Sequence, residues 1–247
     1  MIGILYFSST GNSLYIAKAI QKELSGSLCY IPGYEGDGSE FSRLILVSPI
    51  YSFGLPEPVY DLIPRLAKGV KTDMVLSYGG MCAGADRFAY DHAKDCGVDI
   101  RSVYTVMMPE NFTLVFTVPK FYMKQTLKKA PRKIAAVIEK LRSETPRVPR
   151  GKAFLKDTHM KNKGNWHKLA HDFHTGQDCT LCGLCADLCP VGNISLENGK
   201  VEFADKCIAC LGCYHRCPNK AILYKDKVKE DRYFHPQILP QEIGMDG

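Results

Sequence analysis

Eight of the 11 cysteines lie between Cys179 and Cys217, and their spacing makes them the residues best suited to carry chemistry. They form the pattern C-x2-C-x2-C-x3-C-P twice, and the second copy starts 28 residues after the first. Thiolates so spaced can hold iron–sulfur clusters or structural zinc, and oxidised cysteines form disulfide scaffolds. Zinc sites rarely use the triple-plus-one pattern, and nothing in the sequence suggests the export that disulfides require. The spacing therefore favours two cubane clusters.

The loops between these cysteines have features that suit a cluster. Two residues between cysteines allow a tight turn to wrap one corner, with backbone amides directed at the sulfurs. Gly183 and Gly212 are expected to supply backbone freedom within the loops. Pro190 and Pro218 follow the last cysteine of each copy and redirect the chain, because proline has a fixed φ and no N–H donor.

The repeated motif resembles that of bacterial ferredoxins, in which three cysteines bind one 4Fe–4S cluster and the fourth binds the other. The resemblance implies that one cluster is held by Cys179, Cys182, Cys185 and Cys217. It implies that the second is held by Cys207, Cys210, Cys213 and Cys189. Between the two copies, residues 194–203 alternate around Asn198-Gly199, which predicts a β-hairpin.

The first half of the chain predicts the elements that would position another cofactor. An apolar run at residues 2–7 predicts a buried parallel strand, and apolar residues at helical spacing after it predict a helix. Further strands are predicted at residues 44–47, 73–78 and 98–107, with helices at 57–68 and 86–96. This alternation predicts an α/β fold with a doubly wound parallel sheet.

Ligands bind such sheets beyond the carboxyl ends of the strands, where three loops of this sequence would meet. The first loop consists of Ser8, Ser9, Thr10, Gly11, Asn12 and Ser13. Its hydroxyls and the amides of the following helix suit a phosphate, and a simple capped helix start is the alternative. It is not a Walker loop, because no Gly-Lys-Ser/Thr is present.

Residues 1 to about 150 resemble a flavodoxin, a family that binds FMN at the switch point of a doubly wound sheet. The resemblance implies that the first loop holds the FMN phosphate. It implies that two further loops cradle the isoalloxazine ring and the ribityl chain: Pro49, Ile50, Tyr51, Ser52, Phe53 and Gly54, and Gly79, Gly80, Met81, Cys82, Ala83 and Gly84. Flavodoxins commonly enclose the flavin between a tryptophan and a tyrosine, whereas the single tryptophan here, Trp166, lies outside this region. Tyr51 and Phe53 are the aromatic residues available, with ordinary packing as the alternative.

The segment that links the two halves is basic. Residues 122–141 predict a helix with a break at Pro131. Beyond it, His167, His171 and His174 would share a helical face, which is compatible with metal binding. No acid or cysteine completes a clear site, so a connector is favoured. From Lys120 to Lys168, 15 Lys and Arg residues face three acidic residues, in a chain of net charge +6. A solvated surface is the preferred interpretation, a docking surface for acidic redox partners is an alternative, and no nucleic-acid module is recognisable.

Residues 1 to about 225 together resemble flavodoxin–ferredoxin fusions, a class found mainly in anaerobic bacteria and archaea. The expected organisation is a flavodoxin-like FMN-binding domain at 1–150, a connector at 151–176, a small α+β ferredoxin-like domain at 177–225 and a tail at 226–247. No run of 18 apolar residues predicts a membrane span, and the start of the chain lacks a basic segment typical of a signal peptide. We therefore expect a reducing, cytoplasmic location.

These features predict electron transfer between two 4Fe–4S clusters and FMN, linking one-electron and two-electron redox protein partners in anaerobic metabolism. A flavin-dependent reductase of a quinone or nitro compound, fed by its own ferredoxin domain, is the alternative. A carrier is favoured because neither a catalytic acid–base pair nor a nicotinamide-binding G-x-G-x-x-G is present. The donor and acceptor are not identified by the sequence, and a homodimer is left open.

Overall fold

The computed structural model describes residues 1–114, 117–225 and 232–246. Five parallel strands form the central sheet of these residues: β1 (Ile2–Tyr6), β2 (Ser27–Tyr30), β3 (Arg43–Pro49), β4 (Lys71–Tyr78) and β5 (Ile100–Met107). Their order is β2-β1-β3-β4-β5. This is the flavodoxin-like order, in which ligands bind where the strand order reverses, between β1 and β3. The predicted doubly wound sheet is confirmed.

The strands form where apolar residues run continuously, because helices cover both faces of the sheet. Ile4 and Leu5 in β1 are fully buried, as are Leu46 and Val47 in β3. All four predicted strands are confirmed to within two residues at each end. β2 was not predicted, because it is only four residues long and Leu28 is its one buried side chain.

Four helices pack on the sheet: α1 (Asn12–Leu24), α2 (Glu57–Leu62), α3 (Ala85–Asp95) and α4 (Lys120–Arg142). The helices α1 and α4 cover one face, around Ile16 and Ile134. The helices α2 and α3 cover the other face, around Val59 and Ala89. Short 3-10 helices follow β2 at Ile31–Gly33 and α2 at Ile63–Arg65. This arrangement leaves the carboxyl ends of the strands open for loops.

The predicted break at Pro131 is wrong, since α4 continues through it. A proline removes one backbone hydrogen bond from a helix interior. Pro131 is exposed, so the Leu127 carbonyl that loses its donor can be hydrated. Ala130 and Ile134 on either side are buried against the core and hold the helix in place.

The rest of the chain forms short elements: α5 (Lys156–Lys163), a 3-10 helix (Trp166–Asp172), β6 (Phe173–Thr175), α6 (Leu184–Asp187), β7 (Ile194–Glu197), β8 (Lys200–Phe203), α7 (Gly212–Arg216), β9 (Ile222–Tyr224) and a final 3-10 helix (Pro240–Glu242). The strands β6 and β9 pair antiparallel, as do β7 and β8. The predicted hairpin is confirmed, with Asn198 and Gly199 both at positive φ in its two-residue turn.

The helical face predicted for the three connector histidines is wrong. Residues 166–172 form a 3-10 helix, whose three-residue repeat differs from that of an α-helix. His174 lies in β6, where it pairs with Leu223, and His171 contacts Asp205 at 2.7 Å. The change from helix to strand therefore separates these side chains.

Residues 232–246 of the predicted tail pack back onto the sheet domain. Ile238 and Ile243 are buried in the core between α1 and the sheet. The Tyr6 hydroxyl donates to the Met245 carbonyl at 3.1 Å, and Lys18 pairs with Glu242. Residues 226–231 and 247 of that tail lie outside the described residues. No helix within the described ranges is long and apolar enough to cross a membrane.

Candidate electron-transfer site

The first cysteine group consists of Cys179, Cys182, Cys185 and Cys217. All four line one small cavity of the C-terminal region. The Ala221 amide donates to Cys217 Sγ at 3.2 Å. This group lies near the surface, because Cys182 is exposed and the side chain of Leu181 is 42% exposed. An electron donor could therefore approach it from solvent.

The second cysteine group consists of Cys189, Cys207, Cys210 and Cys213. Burial raises the pKa of the Cys213 thiol, and negative charge on the other three sulfurs raises it further. Burial likewise raises the pKa of Cys210 to about 12. Burial alone favours the protonated thiols, whereas a bound metal deprotonates a thiol outright. These sulfurs therefore have the donor chemistry of a metal centre. Amides of Asn193 and Ala209 donate to the sulfurs of Cys189 and Cys207.

The two loops that carry these groups have matching backbones. Leu181 and Ala209, each two residues after the first cysteine of its copy, adopt positive φ. Gly183 and Leu211, each directly after the second cysteine, do so as well. Such left-handed residues turn successive amides toward an enclosed negative charge. The role expected for Gly212 is different: its φ is not positive, and an added Cβ would lie 2.8 Å from Arg216 Nη2.

The structure thus separates the eight cysteines into the two groups that the ferredoxin resemblance implies, and their role as ligands stays a prediction. In the described parts of the chain no three His, Cys, Asp or Glu side chains converge on a single ion. A cubane does not require such convergence, because each of its cysteines binds a different iron atom.

A small polar pocket lies at the carboxyl ends of β1 and β3. It is lined by five of the six first-loop residues, namely Ser8, Ser9, Thr10, Asn12 and Ser13, together with Ser77 at the end of β4 and Asn111 from the loop after β5. The sixth, Gly11, has a φ of 91° and precedes the first turn of α1. Hydroxyls and a helix N-terminus converge here, which is the chemistry that binds a phosphate.

A larger apolar cavity of about 900 Å³ adjoins this pocket. The two share Ile50, Tyr78, Gly79, Glu110 and Asn111 in their walls. The predicted middle loop contributes Ile50, Tyr51, Ser52 and Phe53, and Pro49 lines the polar pocket. Because the cavity is continuous with the pocket and mostly apolar, it can take a planar ring attached to a phosphate-bearing chain.

The middle loop is a tight turn held by the connector. Tyr51 and Gly54 pair, and Ser52 and Phe53 between them have φ of 46° and 71°. The buried His159 in α5 packs on Gly54 so closely that an added Cβ would lie 2.5 Å from its ring. Its Nδ1 lies 3.0 Å from the Tyr51 carbonyl. Gly54 therefore serves this packing rather than the cavity wall.

The third predicted loop divides in a similar way. Gly79, Gly80 and Met81 line the apolar cavity. Cys82, Ala83 and Gly84 instead directly precede α3, and Cys82 Sγ lies 3.6 Å from Oδ1 of Asp86 in its first turn. An added Cβ on Gly84 would lie 2.6 Å from the Lys152 carbonyl. This half of the loop fastens the connector to the sheet domain.

Trp166 reaches the apolar cavity although it is distant in sequence. It is buried, lines the cavity, and contacts the Tyr51 ring edge-on at 6.0 Å between centroids. Leu169 and Asn162 from the same segment also line the cavity. The connector therefore supplies the tryptophan that is missing from residues 1–150.

The second cysteine group borders the apolar cavity directly. Ala209, Cys210 and Leu211 form part of its wall, together with the loops of the sheet domain. Ile208 is buried in the core of the sheet domain itself. Tyr51 links the two regions, since its hydroxyl lies 3.0 Å from Ser9 Oγ and charge on Cys210 acts on its pKa, which burial raises.

A hydrogen-bonded network joins α7 to the polar pocket. The buried His215 donates from Nε2 to the Asn111 carbonyl and accepts at Nδ1 from the Tyr233 amide. Burial lowers its pKa to about 4, so the ring is neutral. The Tyr233 hydroxyl donates to Asn12 Oδ1 at 2.6 Å, and Asn111 donates to Thr10 Oγ1 at 2.8 Å. Sequence reasoning missed this network because its members lie up to 221 residues apart.

Comparison with known proteins identifies the C-terminal region. Residues 171–218 match the family described as 4Fe-4S dicluster domain. An uncharacterized ferredoxin of Methanocaldococcus jannaschii is 42% identical over 57 residues, which are 20% of this chain and 70% of that protein. A polyferredoxin of Methanothermus fervidus is 38% identical over 50 residues, which are 20% of this chain but only 12% of the polyferredoxin.

Among solved structures, a flavodoxin of Fusobacterium nucleatum bound to flavin mononucleotide is 18% identical with a TM-score of 0.42, covering 58% of this chain and 96% of its own. The flavodoxin of Megasphaera elsdenii is 23% identical with a TM-score of 0.37, covering 42% and 85%. The assignment of the fold rests on the strand order of the sheet rather than on these values.

The molecule is thus an electron-transfer protein in which an α/β domain of flavodoxin-like topology precedes an iron–sulfur domain. Through its C-terminal region the chain belongs to the 4Fe–4S ferredoxins.

Proposed function

We propose that this protein passes electrons from a one-electron donor protein, through two 4Fe–4S clusters, to an FMN held in the polar pocket and apolar cavity. The observation that carries the proposal is that Ala209, Cys210 and Leu211 line the same cavity as the predicted flavin loops. Clusters exchange single electrons and FMN accepts one or two, so the bound groups would link one-electron and two-electron partners.

The positions of the two cysteine groups suit the entry and the delivery of electrons, respectively. The first group would receive electrons, since Cys182 and Leu181 are exposed. The second group would deliver them, because its loop is buried against the sheet domain and Cys210 reaches the cavity. Both steps then occur within one chain, and no second copy is required for the path.

The residues of the sheet domain suit FMN in three places. Ser8 to Ser13 and the N-terminus of α1 would bind the phosphate. The backbone of Gly79 and Gly80 would approach the ring closely, because no side chain intervenes there. Tyr51 and Trp166 would exclude water from the side facing the second cysteine group, which keeps the interior of low polarity.

A reductase of a small oxidant is the second candidate. The apolar cavity has a volume of about 900 Å³, near the upper end of the range for small-molecule sites. Phe53, Met81 and Tyr122 in its wall suit an apolar aromatic acceptor. A quinone or nitro compound bound beside the flavin would then be the terminal oxidant.

The test begins with protein purified without oxygen. About eight iron atoms, eight sulfides and one FMN per chain are expected. Stopped-flow mixing with a reduced ferredoxin should then bleach the cluster absorption and the flavin absorption in sequence. Iron without FMN would refute the proposed flavin site. Fast, saturable turnover of a quinone or nitro compound would favour the reductase over the carrier.

A further inference from the structure

Arg216, in the last turn of α7, is a buried cation without an acidic partner among the described residues. It is 5% exposed and forms no salt bridge with any described carboxylate. Its Nη2 donates to the Leu188 carbonyl at 2.7 Å and its Nε to the Gly212 carbonyl at 3.3 Å. Nη1 is buried and has no hydrogen-bond partner in the part of the chain that the structure describes. Arginine stays protonated in proteins, so the group keeps its charge in this place.

A buried charge of this kind is costly unless something nearby compensates it. The contacts above are all with neutral carbonyl groups. Both carbonyls adjoin the second cysteine group, because Leu188 directly precedes Cys189 and Gly212 directly precedes Cys213. The charge of Arg216 accordingly acts on Cys210. A cluster held by these four thiolates would carry a net negative charge, which would compensate the unpaired guanidinium of Arg216.

No Lys or Arg among the described residues lines the cavity around the first cysteine group. The charges that act most strongly on Cys185 are those of Cys217 and Cys182. The partly buried Arg232 lies over the Tyr214 ring and interacts with both Cys213 and Cys217. It therefore lies between the two groups and cannot distinguish them. Arg216 is the cation that belongs to the second group.

We propose that Arg216 raises the reduction potential of the second cluster above that of the first and thereby directs electrons toward the apolar cavity. Reduction adds one negative charge to a cluster, and a fixed positive charge in a poorly polar interior stabilises the reduced form more than the oxidised form. One electron leaves the first cluster, which is oxidised, and enters the second, which is reduced. The donor is a one-electron redox protein, the acceptor is the flavin, and no bond is formed or broken.

This proposal rests on the proposed function, and the experiment separates the two. The full chain is purified anaerobically as wild type, Arg216→Gln, Arg216→Lys and Arg87→Gln. Arg87 is a suitable control because it is paired with Asp91 at the surface of α3. Iron, sulfide and FMN contents are measured first, and low contents in the wild type would refute the proposed function. Redox titrations followed by electron paramagnetic resonance then give the midpoint potential of each cluster.

In Arg216→Gln, the higher of the two midpoint potentials should shift to a more negative value while the lower one changes less. Arg216→Lys should keep most of the wild-type separation, and Arg87→Gln should keep all of it. Unchanged potentials in a fully loaded Arg216→Gln protein would overturn the role of Arg216 and leave the proposed function intact.

A second measurement does not depend on whether Arg216→Gln folds. Cys182→Ser should retain the second cluster, and Cys207→Ser should retain the first. The cluster that remains in Cys182→Ser should titrate at the more positive potential. The reverse order, or equal potentials, would overturn the proposal.

Discussion

The two cysteine groups have the same motif and matching backbone turns, yet their surroundings differ. The first group lies beside the exposed Leu181 and Cys182. The second lies between buried residues, reaches the apolar cavity through Cys210, and has Arg216 beside it. A duplicated motif is therefore placed once near solvent and once beside the apolar cavity, because the two copies pack against different parts of the fold.

The largest effects are expected when one cysteine is removed from each group, which tests whether the two groups differ in their contact with the cavity. Cys210→Ser and Cys182→Ser should each lose about four of about eight iron atoms, and both should lose most donor-driven flavin reduction. Only Cys210→Ser should also change the visible absorption of the flavin, because Cys210 forms part of the cavity wall. Iron analysis and the flavin spectrum measure these effects, and identical flavin spectra in the two variants would contradict the placement of the second group.

The covering of the second group depends on the packing of the connector, which Gly54→Ala should disturb. The added methyl group would lie 2.5 Å from the His159 ring and force α5 away from the cavity. We expect the free energy of unfolding to fall by about 1–3 kcal/mol, the usual cost of overpacking. Gly33→Ala is the control, because no atom lies within 4 Å of the Cβ position there, and it should change stability by less than about 1 kcal/mol. Equal stabilities of the two variants in urea denaturation would argue against a tightly docked connector.

The C-terminal segment adds a link between α7 and the polar pocket, which Tyr233→Phe removes. The lost hydrogen bond to Asn12 should cost about 1 kcal/mol, and FMN should bind about fivefold more weakly. Fluorescence titration of FMN into flavin-depleted protein measures this change. Tyr34→Phe loses an exposed bond to Glu40 far from the pocket and should leave FMN affinity unaltered. A normal affinity in Tyr233→Phe would show that the first loop needs no support from the tail.

The smallest expected effect is a pH dependence of stability that arises from His235 in the same C-terminal segment. Burial lowers the pKa of His235 to about 4, below the value of about 6.5 expected in the unfolded chain. The unfolded state therefore binds the proton more readily, and stability falls as pH decreases from about 6.5 toward about 4. Between pH 6.5 and 5.5 wild type should lose up to about 1 kcal/mol more than His235→Gln. If the free energy of unfolding, measured by urea denaturation at each pH, changes equally in the two proteins, His235 is in contact with water.

Local pattern was sufficient to predict much of this molecule. Continuous apolar runs such as Leu44 to Val47 predict buried strands, Asn198-Gly199 predicts the hairpin, and the cysteine spacing predicts the dicluster domain. Each of these depends on neighbours within a short stretch of chain. The partition of the cysteines came from resemblance, and the geometry of the two groups agrees with it.

The remaining features depend on contacts between distant parts of the chain. Nothing near Trp166 in sequence indicates that it will contact Tyr51, and nothing near Tyr233 indicates Asn12 as its partner. Pro131 shows the opposite error, since a local rule predicted a break that tertiary packing of Ala130 and Ile134 overrides. The sequence also does not indicate that Gly84, at the end of the third loop, packs on the connector at Lys152.

The central claim is that the second cluster and the flavin face each other within one chain. A crystal structure of the anaerobically purified protein, with anomalous data at the iron edge, tests it most directly. The account predicts two iron clusters, one bound by each cysteine group, and a flavin ring in the apolar cavity between Tyr51 and Cys210. A single metal ion in either group, or a flavin bound away from Cys210, would contradict it.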